Sequence, residues 1–165
     1  MIGLPGQSLQ MLANDLLWMR DNDIDMVGMG PYIEHPDTPL WTRHNELLPL
    51  NERFNLAIAM VATLRLLMPT INIAATTALQ AIRPNGREAA VRAGANVIMP
   101  NITPQNHQDD YSLYDRKPLA ADAQRDSLLV LQERIAACGC KLMLNTPGDP
   151  LHFTQKQDSP KPGQI

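Results

Sequence analysis

The chain has 165 residues, of which 44% are hydrophobic and 19% are charged, and its formal net charge is -3. This is the composition of an ordinary soluble globular protein that is long enough to bury one core. The mild acidity argues against nucleic acid as a partner, and no apolar run approaches the length of a membrane span. The start, MIGLPGQS, has no signal-peptide pattern, and two cysteines do not make a disulfide framework. We therefore expect a cytoplasmic protein with no nucleic-acid and no membrane partner.

The first residues indicate that the chain begins late in a larger domain. Residues Met1–Gln7 have the pattern of a strand end followed by a glycine turn. We therefore expect that the first part of the domain is missing from this chain. Ser8 is then predicted to cap a helix that runs to about Asn22. Its core-facing stripe would consist of Leu9, Leu12, Leu16 and Met19.

The stretch that follows has the pattern of a strand opening into a functional loop. Asp25–Gly30 is an almost wholly apolar run without a helical stripe, which is typical of a strand buried in a parallel sheet. Pro31 would end this strand, because proline cannot donate to the ladder. The polar, proline-stiffened loop Glu34–Pro39 comes next. A buried strand whose carboxyl end opens into such a loop is where α/β folds place active sites.

The rest of the chain continues the alternation of helix and strand. Asn51 is predicted to cap a helix that ends before Pro69, and Asn72–Leu79 is predicted to be the third strand. Further along we expect a short helix at Arg87–Ala93, a fourth strand at Ala95–Pro100, a polar loop at Asn101–Pro118, a last helix from Asp122 to about Ala137 and a short extended piece at Lys141–Leu144.

This order predicts an α/β fold of about four βα units with parallel strands. Four units form either a small open sheet or half of a barrel, and a complete eight-stranded barrel needs about 250 residues. The units occupy residues 1–145. The tail, residues 146–165, is rich in proline and has little that is apolar, so we expect it to be disordered.

Five segments, taken together and in order, resemble one protein family. They are MIGLPGQS, DMVGMGPYIEHPDTPL, NIAATTAL, GREAAVRAGANVIMPN and YSLYDRKP, and they extend from Met1 to about Pro118. They are similar to the HydE family, the radical S-adenosylmethionine maturases of [FeFe]-hydrogenase, whose nearest relatives are biotin synthase and methylornithine synthase. The resemblance implies that this chain is the C-terminal half of a (β/α)8 TIM-type barrel, strands five to eight.

The resemblance also implies two cofactors in the complete enzyme, S-adenosylmethionine and a [4Fe–4S] cluster. The family binds the cluster through a Cys-x3-Cys-x2-Cys motif in the first half of its barrel, and this chain has no such spacing. Cys138 and Cys140 lie two apart at the end of a predicted helix, so we interpret them as structural residues and predict no metal site. We expect this chain alone to be inactive.

The resemblance assigns the cofactor pocket to the ends of the first two strands. Gly3, Pro5 and Gly6 resemble the glycine-bearing strand end beside S-adenosylmethionine. Pro31 and Ile33 resemble the segment that meets the adenine. The alternative is that Gly6 is a turn glycine and Ile33 a core residue.

The same resemblance assigns the substrate cavity to the ends of the later strands. Thr76 and Thr77 match threonines that line this cavity, and Met99 matches a methionine that lines it. Tyr111 and Tyr114 resemble two tyrosines that reach over it. A hydroxyl at the end of an apolar strand must find a partner. The alternatives are that one threonine bonds the next strand and that the tyrosines only anchor a loop.

Other polar residues carry weaker signals. His35 and Asp37 could form an acid–base pair, but the flanking prolines favour a role in shaping the loop. Arg87 and Arg92 are interpreted as solvated helix charges. No spacing of histidines supports a metal site.

The resemblance therefore implies a fragment of a hydrogenase maturase that supplies part of the S-adenosylmethionine pocket and the substrate cavity. The family cleaves S-adenosylmethionine reductively and acts on a small-molecule or organometallic substrate. Its implied partners are the missing N-terminal half of the barrel and other hydrogenase maturases. The alternatives are a biotin synthase-like or methylornithine synthase-like radical enzyme and a non-catalytic half-barrel module.

Overall fold

The computed structural model describes residues 1–100 and 128–158. In these ranges helices and strands alternate. The helices are α1 (Leu9–Asp21), α2 (Leu50–Leu67), α3 (Thr77–Ile82), α4 (Gly86–Arg92), α5 (Leu128–Ala136) and α6 (Leu151–Asp158), with a 3-10 helix at Pro39–Glu46; the strands are β1 (Met26–Gly28), β2 (Asn72–Ala75) and β3 (Val97–Ile98). The predicted start of the last helix and the predicted polar loop lie outside the described residues.

The three strands form a parallel sheet in the order β1-β2-β3. Ile2 forms a further parallel bridge with Pro31, in which the amide of Ile2 donates to Gly30 (3.0 Å) and that of Tyr32 donates to Ile2 (2.8 Å). The predicted α/β class with parallel strands is confirmed. Because each strand lies beside its predecessor without the reversal of a doubly wound sheet, the order is consistent with part of a barrel.

The core lies between one face of the sheet and helices α1, α2 and α4. Val27, Ile73 and Ala75 point into it, because alternate residues of a strand share a face. On the other face of β1, Met26 is 48% exposed. One face of the sheet is therefore closed by helices, and the opposite face is partly open.

Helix α1 begins as predicted. The Ser8 hydroxyl accepts a hydrogen bond from the Met11 amide (3.2 Å), which satisfies one free donor of the first turn. Leu12 and Leu16 are buried and Met19 is partly buried. The inclusion of Leu9 in the buried stripe was wrong, since its side chain is 72% exposed.

Several boundaries differ from the prediction, among them those of β2 and α2. The strand expected at Asn72–Leu79 ends at Ala75, and α3 begins at Thr77 because Leu79 packs into the core from a helical turn. Helix α2 begins one residue before Asn51, with Pro49 at the cap position. The side-chain oxygen of Asn51 instead accepts hydrogen bonds from Arg83.

Part of the proline-rich tail is a helix rather than the frayed segment expected from the sequence. Helix α6 contacts the chain just before β1: Lys156 pairs with Asp23 and Asp25 (3.0 Å each), and His152 Nε2 lies 2.7 Å from an Asp23 oxygen. The side-chain amide of Asn72 also donates to the Gly148 carbonyl (2.7 Å). Polar contacts to residues distant in sequence therefore attach α6, which has few apolar side chains, to the rest of the protein.

We predict that Lys156→Gln releases α6. The change removes both ion pairs, so amide hydrogen exchange of residues 148–158 should accelerate. The exposed Arg92 supplies a matched loss of charge in Arg92→Gln, which should leave this exchange unchanged. Equal exchange in the two variants would contradict the assigned contacts.

We also predict that the attachment of α6 depends on pH. Hydrogen bonds from Lys156 and His152 lower the pKa of Asp23, so its contribution is lost as the pH falls through that lowered value. Desolvation lowers the pKa of Lys156, but the hydrogen bonds to Asp23 and Asp25 together outweigh it, so this pKa is raised. Its contribution is lost only as the pH rises through that raised value. The protection factors of the α6 amides, which correct the exchange rate for its intrinsic pH dependence, should therefore be highest between about pH 5 and pH 10.

Candidate functional site

A pocket of about 390 Å³ lies at the carboxyl ends of β1 and β2. Four of the residues predicted to bind ligand, Pro31, Ile33, Thr76 and Thr77, line it together. The complete lining is Met1, Gly30, Pro31, Tyr32, Ile33, His35, Thr38, Thr76, Thr77 and Ala78. Residues predicted separately for a cofactor pocket and a substrate cavity thus share one space.

Thr76 has the most informative side chain in this pocket. Its Oγ1 is buried and has no hydrogen-bond partner in the part of the chain that the structure describes. It occupies the cap position of α3 but does not cap the helix. A buried hydroxyl left without a partner costs about 1–3 kcal/mol. The site therefore offers a polar group that a ligand or a water molecule can satisfy.

Gly30 makes room for this threonine. A Cβ built on Gly30 would overlap Thr76 Oγ1 and would lie 3.3 Å from Thr76 Cβ. Any side chain at position 30 would therefore displace the hydroxyl. The glycine before Pro31 is required by packing inside the site.

Tyr32 carries a second hydroxyl of this kind. The residue is 7% exposed and lines the pocket, and its phenolic oxygen is buried without a partner among the described residues. Buried tyrosines usually find a partner for this group. The sequence analysis did not assign Tyr32 to the site.

The loop after Pro31 is shaped by His35. Its Nδ1 accepts a hydrogen bond from the Asp37 amide (3.2 Å), and its carbonyl accepts one from the Thr38 hydroxyl (2.7 Å). The carboxylate of Asp37 lies 3.8 Å from Nδ1 and is largely exposed. This geometry fits the predicted role in shaping the loop.

The glycines at the start of the chain do not line this pocket. The Gln7 amide donates to Leu4 (3.0 Å), with Pro5 and Gly6 between them and Gly6 at φ 74°. This is the arrangement of a type II turn, which requires a residue with positive φ at its third position. Gly6 therefore serves as a turn glycine, and its predicted place beside the cofactor stays a prediction.

The predicted cavity residues of the later segments do not extend this pocket in the part of the chain that the structure describes. Met99 lies just after β3 and is 54% exposed, and its carbonyl accepts a hydrogen bond from Arg87 (3.4 Å). Tyr111 and Tyr114 lie outside the described residues. Their assignment to a cavity stays a prediction.

Arg87 is buried, contrary to the prediction that it is a solvated helix charge. It is 1% exposed, whereas Arg92 is exposed as predicted. Glu88, beside it, forms an ion pair with Arg134 of α5. The amino-terminal part of α4 thus carries buried charges that its short sequence did not indicate.

Arg53 is the main residue that the sequence analysis missed. It belongs to the first turn of α2, is 2% exposed, and bonds the Tyr32 carbonyl (2.5 Å), the Glu34 carboxylate (2.7 Å) and the Leu48 carbonyl (2.8 Å). The one signal in the sequence is its place in a helix that is apolar nearly all round.

The cysteines give no sign of a metal centre. The Cys138 thiol lies 3.4 Å from the Arg134 carbonyl, and the Cys140 thiol lies 3.8 Å from the Cys138 carbonyl. In residues 1–100 and 128–158, no group of three or more His, Cys, Asp or Glu side chains could hold a metal ion. The residues described here therefore do not fit an iron–sulfur cluster.

The geometry defines a class of protein: an α/β protein with parallel strands and a pocket at their carboxyl ends, where (β/α) enzymes bind ligands. Among the described helices, none has the length and hydrophobicity that a membrane span requires. No protein-family model matches the chain. Over 120 residues it is 50% identical to the [FeFe] hydrogenase maturase subunit HydE of Thermotoga maritima.

This alignment covers 71% of the chain and 32% of the relative, so the chain spans about a third of the length of the curated relative that it matches. This relative is a HydE maturase, the family that the five segments resemble. The resemblance to the C-terminal part of that family, inferred from five short segments, is confirmed.

We predict that Gly30→Ala destabilises the protein by about 1–3 kcal/mol, because the new methyl group overlaps Thr76. Thr76→Ala in the same background should restore part of this stability. Gly28→Ala is the matched control, since its Cβ would lie 4.0 Å from Ala74, an ordinary contact. Thermal unfolding measures all three variants. Equal losses at positions 28 and 30 would contradict the role given to Gly30.

Proposed function

We propose that this chain supplies part of the S-adenosylmethionine pocket and of the substrate cavity of a radical S-adenosylmethionine maturase of [FeFe]-hydrogenase. The 50% identity to a HydE maturase supports this proposal over biotin synthase-like and methylornithine synthase-like enzymes. The same identity supports the maturase proposal over a non-catalytic half-barrel module, and no observation on the described site favours such a module.

The observation that carries the proposal is the buried hydroxyl of Thr76, which has no hydrogen-bond partner among the described residues and lies in a pocket that Ile33 also lines. An apolar wall with a few convergent polar groups is the usual form of a small-molecule site. Ile33 and Pro31 would contact the adenine of S-adenosylmethionine, and the hydroxyls of Thr76 and Thr77 would face the substrate. The bound cofactor would supply the radical chemistry, and these residues would orient it and exclude water.

The cluster ligands would come from elsewhere in the complete enzyme. Neither cysteine of this chain lies in a group that could hold iron among the described residues. We expect that the chain alone does not cleave S-adenosylmethionine. The cluster belongs to the N-terminal half of the barrel in this proposal.

The partly open face of the sheet also supports a complete enzyme in which this chain is joined by an N-terminal half. Met26 is 48% exposed and Gly28 is exposed on the side of β1 away from the helices. Parallel sheets are normally covered on both faces. The N-terminal half of the barrel is the proposed cover, a small organometallic compound the proposed substrate, and other hydrogenase maturases the proposed partners.

A chimera tests this proposal. The aligned 120 residues of the Thermotoga maritima maturase are replaced by those of this chain, and the release of 5'-deoxyadenosine from S-adenosylmethionine is measured. We expect the chimera to be active. We expect Thr76→Val to lower kcat/KM about tenfold, the effect of losing one hydrogen bond of about 1.5 kcal/mol.

Thr63→Val is the matched control, because Thr63 lies on the exposed side of α2 and bonds only the Ala59 carbonyl of its own helix. It should leave the activity unchanged. A folded chimera that holds its cluster but releases no 5'-deoxyadenosine would contradict the proposal. An equal effect of Thr76→Val and Thr63→Val on kcat/KM would show that Thr76 has no specific role in the site.

A further inference from the structure

Arg53 is a buried cation next to the residues that form the edge of the pocket. The side chain of Arg53 is 2% exposed, although guanidinium is strongly favoured in water. Burial of such a charge is tolerated only where an opposite charge and hydrogen-bond acceptors surround it. Glu34 supplies the charge at 2.7 Å, and two backbone carbonyls supply further acceptors.

The acceptors of Arg53 belong to two separate stretches of chain. Tyr32 and Glu34 lie in residues 31–38, here called the pocket rim, and Leu48 lies in the connection that precedes α2. Both stretches are loops, which have little regular hydrogen bonding of their own. Arg53 therefore fixes the rim to the start of a long helix.

The stem of the same side chain fixes a third stretch. A Cβ on Gly3 would lie 2.5 Å from Cγ and 2.8 Å from Cδ of Arg53, and Gly3 has a φ of 81°. Only a glycine allows the stem to lie against the backbone there. Gly3, which resembles a cofactor-binding glycine, contacts Arg53 in this structure.

We propose that Arg53 is the positioning residue of the pocket, and that it acts through Tyr32 and Glu34. It does not itself line the pocket, whereas Tyr32 and the next residue, Ile33, do. A planar fork of donors can bond several acceptors in fixed directions, and the ammonium group of lysine cannot reproduce this. The effect of Arg53 on the order of the rim does not depend on the proposed function. Its expected effect on the affinity for the cofactor does rest on the proposed function.

Helix α2 contains a matched control in Arg65. This residue lies at the opposite end of the helix, bonds Gly94 (2.8 Å) and Ile71 (2.9 Å), and packs its stem against Gly94, whose φ is 117°. Like Arg53, it bonds backbone carbonyls and packs its stem against a glycine, but it is only partly buried, forms no ion pair in the part of the chain that the structure describes, and lies away from the pocket. Loss of stability alone should follow from Arg65→Lys.

The test measures amide hydrogen exchange of the pocket rim in the full chain. In Arg53→Lys we expect exchange at residues 31–38 to accelerate about tenfold or more, the effect of losing one hydrogen bond to a charged group. In Arg65→Lys it should not accelerate. In Arg53→Ala, added guanidinium ion should slow rim exchange again, because it can occupy the space of the lost group.

Glu34→Gln keeps the test decisive if the Arg53 variants fail to fold. It retains an acceptor but removes the charge, so we expect faster rim exchange with little change in melting temperature. Equal rim exchange in the Arg53 and Arg65 variants, or unchanged rim exchange in Glu34→Gln, would overturn the proposal.

Binding of S-adenosylhomocysteine separates this proposal from the proposed function. It is measured in the active chimera, where Arg53→Lys should weaken binding and Arg65→Lys should not. A wild-type chimera that binds no S-adenosylhomocysteine would contradict the proposed function. The exchange result would still decide the role of Arg53.

Discussion

The buried guanidinium of Arg53 is the interaction on which the candidate site depends. Through one side chain it joins the first residues of the chain, the loop after β1 and the start of α2. The charge can be buried there because the Glu34 carboxylate and two backbone carbonyls surround it. Arg65 performs the same task at the other end of α2, where burial lowers the pKa of its guanidinium. One helix therefore fixes both ends of the strands beside it.

This arrangement explains the small residues at the strand ends. Gly3 and Gly30 leave space for side chains that arrive from other elements, Arg53 in one case and Thr76 in the other. Besides apolar residues, the lining of this pocket presents hydroxyls and the imidazole of His35, and it has no carboxylate among the described residues. Such a lining suits an enzyme whose cofactor carries the reactive chemistry and whose protein orients it.

Local patterns in the sequence were sufficient for several features. The Ser8 cap, the end of β1 before Pro31 and the parallel alternation of elements follow from short-range rules. The strand predicted to extend to Leu79 was too long, because a short apolar run fits a strand or a helix and the packing of Leu79 decides between them. Two of the acceptors of Arg53, in Tyr32 and Glu34, lie about twenty positions away, and Lys156 lies 133 positions from Asp23, so no local pattern in the sequence indicates these contacts.

The most direct test of the account is nitrogen-15 NMR of the arginine side chains. If Arg53 is buried among three acceptors, its Nε–H and Nη–H signals should be visible at neutral pH and protected from exchange with water. The exposed Arg92 provides the comparison within the same sample, and its signals should exchange rapidly. Protection of Arg53 in the wild type that disappears in Glu34→Gln would agree with the account. Exchange of Arg53 as fast as that of Arg92 would contradict it.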